Sequence, residues 1–256
     1  MATKEQQQNV WFGLSMFLGG MIVGVILVGA SGISPFGKGQ PAPSGQPSPT
    51  APNAPEAPTA NLQDTILGFA RTVGLDEAKF TGCLAADKFK QMFTDEEAAG
   101  QTAGVNGTPG NILIDMKTGN ARLLSGAQPF EVFQKNIDEM LKNPTAKSTD
   151  PATPQATNVV PVDLEKDHVR GSKTARLALI EYSDYQCPFC HRVHPTLEQM
   201  MQKYDGKVVW VYRHFPLSFH PNAIPLATAA ECANEIGGTD AFWSFTDEVM
   251  ASDNVN

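Results

Sequence analysis

The sequence predicts an α/β fold preceded by an N-terminal transmembrane helix, and three observations carry that expectation. RLALIEY (176–182) and KVVWVYRHFPL (207–217) are nearly continuous apolar runs, the pattern of strands buried on both faces beneath covering helices. Segments with apolar residues at helical spacing stand between and around them. Residues 10–30, VWFGLSMFLGGMIVGVILVGA, carry no charge, and the chain stays uncharged from Gln6 to Gly37. At about 1.5 Å per residue such a helix reaches roughly 30 Å, the hydrocarbon thickness of a bilayer.

The apolar run also admits a cleaved signal peptide, with Val28-Gly29-Ala30 as a passable small-residue cleavage site. Its length favours an uncleaved anchor over residues 1–36, as does a leading segment whose Lys4 is offset by Glu5. Either reading exports the residues C-terminal to the run and places the domain on the extracytoplasmic side of the cell membrane. The 256 residues are 41% hydrophobic, enough for a core, and the net charge of −8 with no basic block argues against nucleic acid or an anionic surface as main partner.

Composition divides the rest. Residues 37–60 hold seven prolines between Pro41 and Pro58 and read as a semi-stiff spacer. Residues 61–143 form a first block and 158–256 a second. Residues 144–157, PTAKSTDPATPQAT, link them, cross no core and are expected to be the protease-soft site.

In the first block Leu62, Ile66, Leu67, Ala70 and Val73 recur at helical spacing, with Asn61 as a cap and Gly74 as terminator. A second helical pattern carries Phe80, Cys83, Leu84 and Met92. NILIDM, KTGN and ARLLSG then read as strand, turn and returning strand. Pro129 opens a last helix striped by Phe130, Phe133, Ile137 and Leu141. The second block begins with a weak strand near Val159–Leu164, and the strand at 176–182 runs directly into YQCPFCH. A helix extends from there to about Tyr204, with a kink expected at Pro195. After the next strand come helices near Ala227–Ile236 and Ala241–Met250.

YQCPFCH admits three chemistries: haem attachment, half of a zinc site, or a redox dithiol. A haem protein of this type is usually mostly helical and needs a second axial ligand. Zinc needs two further ligands at good spacing, and no second Cys-x-x-Cys exists. The redox reading explains the placement. At a helix N-terminus the unsatisfied N–H groups and the macrodipole favour the thiolate of Cys187, in a range of about 3.5–7.5 for such cysteines. Cys190, one turn on, can attack a mixed disulfide on Cys187. An inert surface disulfide is the remaining alternative.

ALIEYSDYQCPFCHRVHPTLEQM resembles the active-site region of the DsbA-like branch of the thioredoxin superfamily, extracytoplasmic thiol–disulfide oxidoreductases. The resemblance implies a thioredoxin-like fold with a helical insertion. It implies that Glu181, on the strand before the motif, is a buried proton acceptor near Cys190, where a surface strand-end carboxylate is the alternative. The family also carries a cis-proline loop against the dithiol, and GVNGTPGNILI resembles it, with Thr108 and Pro109 in the substrate-holding positions. Cys83 and Cys232 fall on helices of the implied insertion, either as a structural disulfide or as two buried thiols. No metal or organic cofactor is implied. Implied partners are exported proteins with free cysteines and a membrane reoxidant of the DsbB or VKOR type.

In the family the proline loop comes after the dithiol; here Pro109 precedes Cys187. Reading the second block before the first restores family order, with Asn256 running into residues 61–62. A circularly permuted single domain, half-domain exchange between two copies, and a fragment of a tandem protein all meet that order. The single complement of parts favours permutation. Reductase, isomerase and non-catalytic peptide-binding module stay open beside oxidase.

Overall fold

A computed structural model describes residues 60–255. The segment expected to form the transmembrane helix, the Pro-rich spacer up to residue 59, and Asn256 lie outside the described residues. Among the described residues no helix is long and apolar enough to cross a membrane.

The first block forms α1 (Ala60–Thr72), α2 (Glu77–Leu84), α3 (Lys90–Thr102), β1 (Gly110–Asp115), β2 (Ala121–Ser125) and α4 (Phe130–Lys142). The second forms β3 (His168–Gly171), β4 (Leu177–Ser183), α5 (Pro188–Lys203), β5 (Val208–His214) and α6 (Ala223–Ala251). Both contribute to one five-stranded sheet in the order β2-β1-β4-β5-β3. β4 and β5 run parallel, and β1 joins antiparallel to β4 with Asn111 opposite Glu181. The blocks therefore share one hydrogen-bonded sheet.

Alternation along the strands sorts the core into two layers. Leu177, Leu179, Val208, Trp210 and Tyr212 face a layer built with α1, α2, α4, α5 and α6. Ala178, Ile180, Tyr182, Val209 and Val211 face the other, with Ala103, Val105 and Phe215. Every residue of β4 and β5 is buried, as continuous apolar runs require. The β1–β2 turn uses Gly119 at φ 72°, and the buried Asp115 carboxylate accepts from the backbone N–H groups of Lys117 and Thr118. At the end of α1, Gly74 takes φ 78° and the Leu75 N–H returns to the Ala70 carbonyl, closing the helix.

Several expectations need correction. No strand forms over 159–164: Pro161 has no N–H to offer a ladder, and the Val160 and Pro161 carbonyls accept from the Arg213 guanidinium instead. The edge beside β5 is taken by β3, four residues further on. The single helical pattern over 80–92 is two helices, α2 and α3, parted by a turn in which Asp87 sits at φ 45°. α1 already begins at Ala60, so Asn61 lies inside its first turn. The two helices expected after β5 are borne out: α6 is two helices parted at Gly238, where φ is 73° and ψ −169°.

The 144–157 tract connects the blocks but is no free spacer. Its Gln155 bridges to Arg122 on β2, the Leu123 N–H donates to the Pro154 carbonyl, and the Ala156 N–H donates to the Ala121 carbonyl. Thr153 and Ala156 are buried. The tract thus covers the edge of β2 that would otherwise stand unpaired.

Candidate active site

Cys187 caps the N-terminus of α5 with extended backbone (φ −78°, ψ 118°), and Pro188 occupies the first helical position. The cap is where first-turn N–H groups lack helical partners. The Cys190 and His191 N–H groups turn back to the Cys187 carbonyl, fixing the two sulfurs one turn apart. Cys187 retains 3% of its surface and Cys190 none, so only the first can meet a partner in solution. Both are free thiols here.

The loop before β1 closes over this helix end. The Thr108–Pro109 peptide is cis, and the Cys187 sulfur lies 3.5 Å from the Thr108 carbonyl oxygen, which accepts from it when the thiol is protonated. Gly110 permits the approach: a Cβ there would lie 2.3 Å from Val105 Cγ1. The buried Thr108 hydroxyl has no hydrogen-bond partner among the described residues.

Electrostatics separates the two thiols. The hydrogen bond from the Cys190 thiol, helped against burial by Thr108 and by the Cys190 and Phe189 N–H groups, pushes Cys187 down to about 5. Burial pushes Cys190 well up, and the neighbouring Cys187 and Glu181 charges push it further. One sulfur is held as an anion and the other as a protonated thiol, the asymmetry that directs attack to a single sulfur.

Glu181 is fully buried, not a surface carboxylate. Period-two alternation puts it on the same face as Leu177 and Leu179, the face that carries α5. Its Oε1 accepts from Ser183 Oγ at 2.8 Å and its Oε2 from Trp210 Nε1 at 3.1 Å. Burial raises its carboxyl above the usual range, against the opposing pull of His194, Ser183 and Trp210. A carboxyl so placed holds its proton more readily than an exposed one, as an exchange with the neighbouring dithiol requires.

Cys83 on α2 and Cys232 on α6 are joined by a disulfide with Cα atoms 5.7 Å apart. It ties the first block's helices to α6 and takes no part in the dithiol.

Some residues around the site were not singled out from sequence. Ser183 lies two positions beyond Glu181 on one strand face, so strand alternation could have found it. Trp210 needed the pairing of β4 with β5, which no local pattern encodes. Asp184 organises the loop before the helix, accepting from the Gln186 and Leu217 N–H groups and bonding His220 Nδ1 at 2.8 Å. Two clusters carry residue types that could hold a metal: His168, His214 and Glu231; and His194, Glu198 and Asp247. In the first, both Nε2 atoms lie within 2.6 and 2.8 Å of one Glu231 oxygen. Burial raises that carboxyl, but the two imidazoles overcome it and hold it at about 2.

Residues 56–138 match the DSBA-like thioredoxin domain family, and residues 163–255 match a thioredoxin family. Among curated proteins the chain is similar to the Na(+)/H(+) antiporter NhaA 1 of Mycolicibacterium gilvum, 42% identical over 91 residues, 35% of this chain and 14% of the antiporter. It is similar to NhaA 3 of Salinispora tropica, 42% identical over 94 residues, 36% of this chain and 14% of that protein. The chain thus spans about a seventh of the length of these relatives. Among solved structures it is similar to Pseudomonas aeruginosa DsbA2, with 36% identity, a TM-score of 0.33, and coverage of 36% of this chain and 50% of that one.

Proposed function

We propose that this DsbA-like member of the thioredoxin superfamily is a thiol–disulfide oxidoreductase that oxidises cysteine pairs of exported proteins. The carrying observation is the split between the thiols: Cys187 at the cap of α5 held at about 5, Cys190 buried behind it and pushed up.

In the oxidised protein a substrate thiolate attacks Cys187 Sγ. The Cys187–Cys190 bond breaks, and Cys190 leaves and takes a proton relayed from solvent through Glu181. The substrate's second thiolate then attacks its own sulfur in the mixed disulfide and releases Cys187 as a thiolate. The substrate loses two electrons, and the dithiol gains them. Thr108 and Pro109 hold the extended substrate segment beside Cys187. Stabilising the Cys187 thiolate stabilises the reduced form and makes the disulfide readily given away, which favours oxidase over reductase or isomerase.

Reoxidation returns the electrons to a disulfide of a membrane partner of DsbB or VKOR type. The uncharged run at 10–30 supports a single-pass anchor, with the domain on the extracytoplasmic side of the cell membrane. The antiporter relatives share too little of their length to lend their transport activity. The antiparallel seat of β1 beside β4, and a proline loop that precedes the dithiol in sequence yet packs on it, support reading the domain as a circular permutant.

Equilibration with glutathione buffers tests the direction of the chemistry. An oxidase should titrate in the region of about −180 to −120 mV; a value near about −270 mV would assign a reductant instead.

A further inference from the structure

The proposed mechanism leaves a proton problem. Each reoxidation delivers the Cys190 proton to Glu181, which has no exposed surface. The two donors on its carboxylate, Ser183 Oγ–H and Trp210 Nε1–H, stabilise charge there but are not bases that would carry the proton away.

His194 is placed for that step. It lies four residues beyond Cys190 on α5, so the two share one helix face, and both are buried. Its ring packs on the Trp210 indole at 5.0 Å between centroids, the same indole that donates to Glu181. Its Nε2 lies 2.9 Å from Asp247 Oδ1 on α6. Its Nδ1 is buried without a partner among the described residues. With Nε2–H donating to Asp247, Nδ1 carries a free lone pair, so the ring can accept on one side and donate on the other. The Asp247 side chain is 39% exposed and is clamped by Arg170 Nη2 at 2.6 Å.

We infer that His194 and Asp247 form the outlet through which the proton on Glu181 reaches solvent. This deepens the oxidoreductase reading and rests on it. Neither residue touches substrate; both act through Glu181. The groups facing Glu181 are Ser183 on β4, Trp210 and Tyr212 on β5, and Cys187, Cys190 and His194 on α5. Those facing His194 are Trp210, Glu198 one turn along α5, and Asp247, which also holds Arg170 from β3. No hydrogen bond joins Glu181 to His194 Nδ1 directly, so the transfer requires a rotation of the Glu181 side chain or an intervening water. Transfer then runs from Glu181 to Nδ1, from Nε2 to Asp247, and from Asp247 to bulk water, with no electron moved.

The test is the rate of oxidation of the reduced full chain by oxidised glutathione, across pH and buffer concentration, for wild type, Asp247→Asn and His194→Gln. Alkylation of Cys187 by iodoacetamide serves as control. Both variants should be slowed about 10-fold or more, with Cys187 alkylation unchanged, and imidazole in the buffer should restore the rate. Asp247→Asn alters only a part-exposed side chain and carries the test where His194→Gln fails to fold. Wild-type rates in Asp247→Asn with no dependence on buffer overturn the outlet while leaving the oxidoreductase reading intact. Slowing that imidazole does not relieve also overturns it, marking a packing role. A wild-type dithiol that does not exchange with glutathione overturns both.

Discussion

The Cys187 sulfur lies 3.5 Å from the Thr108 carbonyl oxygen, although 79 positions separate the two residues and Thr108 comes first. Strand pairing explains the meeting. β1 lies antiparallel against β4 with Gly110 opposite Tyr182, so the start of β1 and the end of β4 lie at the same end of the sheet. The Thr108 loop enters at that end and the dithiol helix leaves from it.

Different losses are expected from the two thiols. Cys187→Ser should abolish disulfide transfer, because the attacked sulfur is gone. Cys190→Ala should accumulate mixed disulfides at Cys187, because attack continues and resolution cannot. Non-reducing gels with mass mapping check this; a Cys190→Ala protein that reacts readily at Cys187 yet collects no adducts would reverse the assigned roles.

Alkylation of Cys187 in the reduced protein should rise with a midpoint near pH 5, far below the ordinary thiol value of about 8.5. The same shift links to stability. Between these two values the folded reduced protein binds fewer protons than the unfolded chain, so its stability increases with pH. The contribution is complete above about pH 8.5 and is lost as pH falls through about 5. The oxidised protein lacks it. Thermal melts of both forms across this range should therefore show the reduced form gaining on the oxidised one as pH rises.

Much of this was legible in the sequence because the signals are local. Buried strands announce themselves as apolar runs, and β4 and β5 fall within one to three residues of 176–182 and 207–217. The helix start at Cys187 is marked by the proline after it. What failed depended on partners distant in sequence. Residues 159–164 have strand-like composition, but the edge of β5 goes to His168–Gly171, and only pairing decides between them. The 144–157 tract reads as spacer by its prolines, yet its backbone is spent on β2. Trp210 and Asp247 reach the site from β5 and α6, and nothing near either residue marks it.

Removing the second disulfide should leave chemistry intact and lower stability. The Cys83–Cys232 bridge spans 149 positions, and cross-links over long loops restrict the unfolded chain by about 2–4 kcal/mol. The double variant Cys83→Ala, Cys232→Ala should unfold at lower denaturant with its peptide-oxidation rate retained. Loss of activity in a protein that remains folded would give the bridge a role in the site.

If the chain is a permutant, its two blocks should work in either order. A protein with residues 158–255 placed before 60–143, joined by a short flexible linker, should regain the same secondary structure and disulfide transfer. An insoluble or inactive product from every linker length would favour dependence on the present order.

The claim that one site is built from both blocks is tested most directly by cross-linking. A cysteine peptide carrying a photoreactive group next to its cysteine is trapped on the Cys190→Ala protein and irradiated, and the adduct is mapped. A single site built from both blocks gives a peptide joined to Cys187 by its disulfide and to the Thr108–Pro109 loop by the photoproduct, bridging the two blocks. Photoproducts confined to residues 158–255 would contradict it.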